Sequence, residues 1–409
     1  MKIVLVSILT PASENIRGTS ALPYHILKHR DRTISVTIYS YNFNELSIKK
    51  IDEVQQELNV KIQLLEKPRW IKWIFMLHLL WLRVFLSFPL HHYLRLSQPF
   101  VNEIKTANPD GVWIYGEEMS RVSRQFAGIK RVHTLPDCES LYYYRMLGKR
   151  MVTYSNSFFW RIALMYPKFL RMEREFDNSK EVQYHLVGEE DVHFLKENNP
   201  RIQAHFIRHP HYEVSQLKIE NGKWKIEFHQ PKIKILIAGQ NNIYMRQEAD
   251  LLHEQICNVN ANDNVNSLKE HYVFTFLGKG WERHVEAMRN VGYEVQHITF
   301  APDYIEEICK HDIQITPIAI GTGTKGKVLD ALANGLMVIG TSYAMENIAV
   351  KNGESCVEYK HPKEVIDVLM DIPKNIQKYE QIAAEGRKQV LTLHNRSVVS
   401  QQLFDIFRE

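Results

Sequence analysis

The sequence predicts an α/β fold built from two doubly wound parallel-sheet domains, and three observations point to it. The chain has 409 residues, long for one core and natural for two. Strand-like and helix-like segments alternate, as in parallel sheets covered by helices on both faces. The alternation then stops near Glu213–Gln230 and begins again.

The first series opens at Ile3–Ile8, a short apolar run that reads as a buried strand. A loop, "TPASENIRGTS", leads to a helix over Ala21–Lys28. "TISVTIYSY" is a β-branched and aromatic second strand, and "KIQLLE" a third. After an apolar helical region come the helix "FVNEIKTA", the turn and buried strand "PDGVWIYG", and the strand "IKRVHTLPD", which ends in a polar turn. Helical sequence runs to about Asp177, and "VQYHLVG" is a further strand.

The second series starts with "PKIKILIAGQNN", a strand ending in a Gly/Asn loop at Gly239. "EHYVFTFLGKG" and "YEVQHITFAP" are strands, "DYIEEICKH" a helix, and "DIQITPIAIGTGTKGK" a strand and loop. "VLDALANG" is a helix with Gly335 in the stop position, and "LMVIGTS" one more strand. The domains are placed at 1–212 and 213–385, with 386–409 a C-terminal helix returning to the first. Ligands of such sheets bind beyond the carboxyl ends of the strands, so the chemistry is expected in a cleft where the two domains face each other.

Apolar residues make up 44% and charged residues 24%, with a net charge of +4. That is a globular composition, and the positive excess forms no basic stripe of the kind that binds nucleic acid. Cys138, Cys257, Cys309 and Cys356 lie far apart without a CxxC pair, which reads as reduced thiols in a cytoplasmic protein. "MKIVLVSIL" carries one lysine and a short apolar run, a first strand and not a secretory signal.

The most hydrophobic stretch is Trp70–Leu90, interrupted by Lys72, His78, Arg83 and Pro89. It falls short of the roughly 18 or more apolar residues that span a bilayer. Two readings stand. It is a helix pair buried between layers, or it is an in-plane membrane contact at the inner face of the cytoplasmic membrane. In the second, Lys67, Arg69, Lys72 and Arg83 face head groups while Trp70, Trp73 and Trp81 sit at the interface.

"GTGTKGK", Gly321–Lys327, packs three glycines and two lysines in front of a helix. A helix N-terminus exposes N–H groups and favours an anion. Lysine there opposes the helix dipole by ~0.3–1 kcal/mol, so Lys325 and Lys327 make sense around a bound phosphate. Asp330, one turn in, can accept hydrogen bonds from the hydroxyls of a ribose.

The segment "GTGTKGKVLDALANGLMVIGTSYAMENIAVKNGES" resembles the donor-nucleotide region of retaining glycosyltransferases of family 4, the group 1 glycosyl transferases, which have the GT-B fold. "ITFAPDYIEEICKHDIQITPI" is similar to the family's approach to that loop, and the likeness is strongest after about residue 230. It implies transfer of a hexosyl group from a nucleotide diphosphate sugar to a glycan or lipid-linked hydroxyl, with retention, in bacterial surface polysaccharide synthesis. The implied donor site is Gly239, Arg246, Thr322, Gly323, Thr324, Lys325, Lys327 and Asp330. Asp330 stands where the family has its ribose-binding glutamate, and uncharged Thr322 stands where it has the glutamate that meets the transferred sugar. Arg246 is the nearest candidate for the family's basic residue at the pyrophosphate. On the acceptor side the loop "NIRGTSA" offers Arg17 and Gly18.

No DxD triplet occurs, so no metal and no cofactor is expected. The departing diphosphate then depends on Lys325, Lys327, Arg246 and the helix start, with Lys327 among the catalytic groups. Asp137 and His133, at the end of a first-domain strand, can position or polarise the acceptor hydroxyl. Both also admit a structural role, a turn-capping aspartate and a strand histidine. Thr322 keeps a second class open, a GT-B protein that binds a nucleotide or a partner without turnover.

Overall fold

The computed structural model describes residues 1–15, 19–148, 156–215, 219–220, 223–224, 226–258 and 266–408. Arg17 and Gly18 lie outside the described residues. Contacts divide the chain into two units, Met1–Pro210 with Arg396–Glu409, and His211–Asn395.

The first unit is built on seven parallel strands: β1 (Lys2–Ser7), β2 (Ser35–Ser40), β3 (Lys61–Leu64), β4 (Gly111–Tyr115), β5 (Arg131–Leu135), β6 (Val182–Leu186) and β7 (Ala204–Phe206). Their order in the sheet is β3-β2-β1-β4-β5-β6-β7. β1 pairs with β2 on one side and β4 on the other, so the winding reverses at β1. The central strands β4 and β5 are buried at every position, as strands covered on both faces must be.

A helix over Ile48–Leu58 connects β2 to β3, and the sequence reading misses it. Only Ile51, Val54 and Leu58 face inward, while the polar remainder hides the period. Its ends are nevertheless marked. The Ser47 side chain accepts from Lys50 N at 3.2 Å, and Asn59 takes a left-handed φ of 49°.

The helix Arg396–Asp405 belongs to this first unit. It contributes Val399, Leu403 and Phe404 to the core around Trp113, with the rings of Trp113 and Phe404 5.9 Å apart, edge to face. Gly111 is needed opposite its end, because a Cβ there would collide with the Phe407 ring.

The second unit has six parallel strands: β8 (Ile233–Ala238), β9 (Tyr272–Leu277), β10 (Val295–Ile298), β11 (Ile313–Thr316), β12 (Met337–Gly340) and β13 (Val357–Glu358). In this sheet β10-β9-β8 run to one side and β11-β12-β13 to the other. That is the Rossmann order, and it reverses at β8, beside β11. Every residue of β9, β11 and β12 is buried, which explains their largely apolar sequence, broken only by the polar Thr275, Gln314 and Thr316.

The Trp70–Leu90 stretch is not a buried helix pair. It forms the helix Arg69–Met76 and a 3-10 segment, Leu79–Phe85, parted by His78 at φ 53°. In the helix only Ile71 is buried, and in the 3-10 segment nothing is. Among the described residues no helix is long and apolar enough to cross a membrane.

Candidate functional site

Three chain segments of the second unit meet at the carboxyl end of β8. β8 ends at Ala238, and Gly239 follows at φ +134°. β9 ends at Leu277, and Gly278 follows at φ +138°. A Cβ on Gly278 would strike the Gly239 carbonyl, so the two loops touch backbone to backbone. The Trp281 indole N–H donates to Gly239 O at 2.7 Å and pins that contact.

The third segment is the loop after β11. Ala319 N donates to Tyr244 O at 2.7 Å, and Thr341 Oγ1 donates to Ile318 O at 2.7 Å. Gly323 takes φ +60°, and its carbonyl accepts from Asn347 Nδ2 at 3.0 Å. The helix Gly326–Ala333 then begins, with Lys325 as its N-terminal cap residue.

The two lysines part company here. Lys325 folds back, its ammonium donating to Thr322 O at 2.6 Å and Gly323 O at 3.0 Å. It braces the loop. Lys327 instead reaches over Gly239, where a Cβ would lie 3.6 Å from Nζ. Its ammonium stands 5.8 Å from the centre of the Tyr304 ring. Although Lys327 is exposed along its length, burial of the ammonium lowers its pKa, and Asp330 opposes that shift.

Asp330 lies one turn further on, buried. Burial pushes its pKa up to about 7, against the pull of Lys327. Its Oδ1 has no hydrogen-bond partner among the described residues, and neither has the Tyr304 hydroxyl or Gln314 Oε1. Burial, then the Asp330 charge, raises the Tyr304 pKa well above its ordinary value. Orphaned buried polar atoms are rare in native folds, and these three lie on and beside the helix Gly326–Ala333. Gln314 is tied to it directly, Nε2 donating to Lys327 O at 3.3 Å. Tyr304 and Gln314 escape a reading by motif. One signal for Tyr304 is visible, the cap Asp303, whose side chain accepts from Glu306 N at 2.8 Å and sets the helix start.

Thr322 and Thr324 are half-buried in the loop. Arg246 is exposed at the start of the helix Arg246–Asn258, and its Nη2 donates to Asn241 O at 3.3 Å in the loop after β8.

In the first unit, His133 is not an acceptor-side group. It is fully buried, and its Nε2 bonds the Gly116 carbonyl at 2.7 Å. Its ring packs 5.4 Å from Tyr184 and 5.9 Å from Phe176. Burial lowers its pKa to about 4, so it is a neutral core histidine that supports the bend after β4.

Asp137 is half-buried on the turn after β5. That turn is fixed from below. Cys138 N donates to Asp191 Oδ1 at 2.7 Å, and Ser140 bonds Glu173 through both its amide and its hydroxyl. Asp191, in the first turn of the helix Glu189–Asn198, thus anchors a neighbouring turn. Glu117 and Glu139 share the carboxyl edge with Asp137. Burial and the repulsion of neighbouring carboxylates, Asp137 included, raise both pKa values. Glu118 accepts from His91 N at 2.7 Å. These glutamates also escape the sequence reading, because only the sheet order brings the ends of β4 and β5 together. Among the described residues no group of three or more His, Cys, Asp or Glu could hold a metal ion.

Glycine turns at the strand ends, a lysine over Gly239 and a buried acid one helical turn away gather at the carboxyl edge of the second sheet. Residues 229–375 match the family model of glycosyl transferases group 1. The matched span covers Gly239, the Lys327 helix and Asp330. No curated protein matches the sequence.

Solved GT-B structures match the fold over essentially the whole chain. Anabaena HepE, in a complex with UDP, has a TM-score of 0.63 at 12% identity, covering 100% of both chains. The sucrose-phosphate synthase of Thermosynechococcus elongatus has a TM-score of 0.62 at 12% identity, over 100% of this chain and 98% of that one. WaaG, a glycosyltransferase involved in lipopolysaccharide biosynthesis, has a TM-score of 0.60 at 13% identity, over 99% of each chain. The fold is therefore GT-B, with two Rossmann-like units.

Proposed function

We propose that the chain is a glycosyltransferase moving a hexosyl group from a nucleoside diphosphate sugar to a hydroxyl, with retention and without a metal or cofactor. The carrying observation is the cluster at Gly239: Lys327 over the glycine turn, with unpaired buried Asp330 Oδ1 and Tyr304 OH beside it. A ribose hydroxyl would satisfy those atoms, and a diphosphate would face Lys327 and the start of its helix. Lys327 then neutralises charge on the leaving diphosphate, the kind of contact worth about 3–4 kcal/mol. Lys325 shapes the loop, and Arg246 is the second cation for the pyrophosphate. Thr322, Gly323 and Thr324 border the sugar, and Asp137 positions the acceptor hydroxyl.

The family match and the UDP complexes of HepE support the donor class. The likeness to WaaG supports a glycan or lipid-linked acceptor in surface polysaccharide synthesis. That the four cysteines form no disulfide supports a reducing, cytoplasmic setting. A second reading, nucleotide binding without turnover, rests on Thr322, which brings no charge to the sugar.

Thermal shifts against nucleoside diphosphates and their sugars test the donor site. A ligand at a hundredfold excess over Kd stabilises by about 2.7 kcal/mol. One nucleotide is expected to shift the melting point, and silence across the panel overturns the donor reading. NMR of the product's anomeric centre then tests retention. Binding with no transfer to any acceptor would favour the second reading.

A further inference from the structure

The first unit carries a surface that the transferase reading does not use. Trp81 is 59% exposed, Phe85 78% and Trp160 63%, large apolar side chains that folding ordinarily covers. They stand on two stretches of chain. Trp73 and Met76 project from the helix Arg69–Met76, and Trp81 and Phe85 from the 3-10 segment after it. Trp160 and Leu164 project from the helix Asn156–Arg174. The two are tied together, because Lys168 Nζ on the long helix donates to Val84 O at 2.8 Å and also to Arg83 O.

The exposed charge on both stretches has one sign, since the one acid on the long helix, Glu173, is buried against Ser140. No Asp or Glu occurs between Glu66 and Glu103, a stretch holding Lys67, Arg69, Lys72, Arg83 and Arg95. None occurs between Glu139 and Glu173, which holds Arg161, Lys168 and Arg171. A second copy of the chain would have to meet these cations with carboxylates, and the surface itself has none to offer. A partner that is apolar inside and anionic at its face fits both properties.

We propose that this surface docks on an anionic phospholipid bilayer, lying in the interface plane. The tryptophans sit at head-group depth, Phe85 and Met76 enter the acyl boundary, and the exposed Arg69, Lys72 and Arg161 meet phosphates, while buried Lys168 only joins the two stretches. The broken geometry suits this, since a short helix and a 3-10 turn parted at His78 can lie flat but not span. The inference does not depend on the transferase reading.

The test uses the full chain with vesicles of equal parts phosphatidylglycerol and phosphatidylcholine, and with phosphatidylcholine alone. Four of the seven tryptophans, Trp70, Trp73, Trp81 and Trp160, lie on this surface. Brominated lipid should therefore quench most of the indole emission. Co-sedimentation with the anionic vesicles is expected, weakened by salt. At least about a tenfold loss is expected for Trp81→Ser/Phe85→Ser and for Lys72→Glu/Arg83→Glu, since each basic residue near such a surface counts about fivefold. Unchanged melting of these variants would show that they fold. Failure to bind either vesicle would overturn the proposal. So would wild-type binding by the variants, or lipid-independent dimerisation lost in Trp81→Ser/Phe85→Ser, which would assign the surface to a second copy.

Discussion

The ammonium of Lys327 stands above Gly239, so close that a Cβ on the glycine would lie 3.6 Å from Nζ. One residue supplies the charge and the other leaves the space in which that charge can be met.

Removing the charge should cost turnover and not folding. Lys327→Ala is expected to lower kcat/KM by roughly 10²–10³, the range for one contact to a developing anion, and to abolish the nucleotide-induced melting shift. Lys325→Ala should instead lower the melting point, because its ammonium holds Thr322 O and Gly323 O. Calorimetry with and without nucleotide separates the two.

Filling the contact between glycines should destabilise the second unit. Gly278→Ala places a methyl on the Gly239 carbonyl and forces alanine to φ +138°. A loss of about 1–3 kcal/mol, typical of a residue held at such a φ, is expected in urea unfolding.

The raised pKa of Asp330 makes a signed prediction. Its folded value, about 7, lies above the ordinary 3.8. Between those values the native state holds the proton more tightly than the unfolded one, so stability falls as pH rises from about 4 to 7. Asp330→Asn removes this dependence. The difference between wild type and variant should grow with pH across that window and level off above it, with about 4 kcal/mol as a ceiling. Urea midpoints across the window measure it.

His133→Phe separates structure from chemistry. The change removes one of two hydrogen bonds to the Gly116 carbonyl, which still accepts from Met119 N at 3.1 Å, at a cost of about 0.5–1.5 kcal/mol for one lost bond. Turnover per folded molecule should survive, because His133 is sealed beneath the turn. An acid–base role would instead show as a lost limb in the pH–rate profile.

Much of this was legible in the residues themselves. β9 and β12 are almost wholly apolar runs, and the helix after Lys325 announces itself by its glycines and lysines. Ile48–Leu58 stayed hidden because only Ile51, Val54 and Leu58 face inward, while exposed Ile48 and polar side chains fill the rest. Tyr304 and Gln314 stayed hidden for another reason. Their significance is a missing hydrogen bond, and no linear pattern records one. The same holds for Glu117 and Glu139, neighbours only because β4 and β5 pair. His133 was readable either way from its strand, and the bond to Gly116 decides it.

The return of Arg396–Asp405 to the first unit bears on how the chain is made. Trp113 waits in an unfinished core until Phe404 and Phe407 are translated, almost three hundred residues later. The second unit is continuous and needs nothing beyond Asn395, so on the ribosome it can close while the unit that precedes it is still open. A nascent chain halted before Arg396 would expose a greasy sheet face to chaperones, and the segment from Arg396 onward acts as its closing stitch.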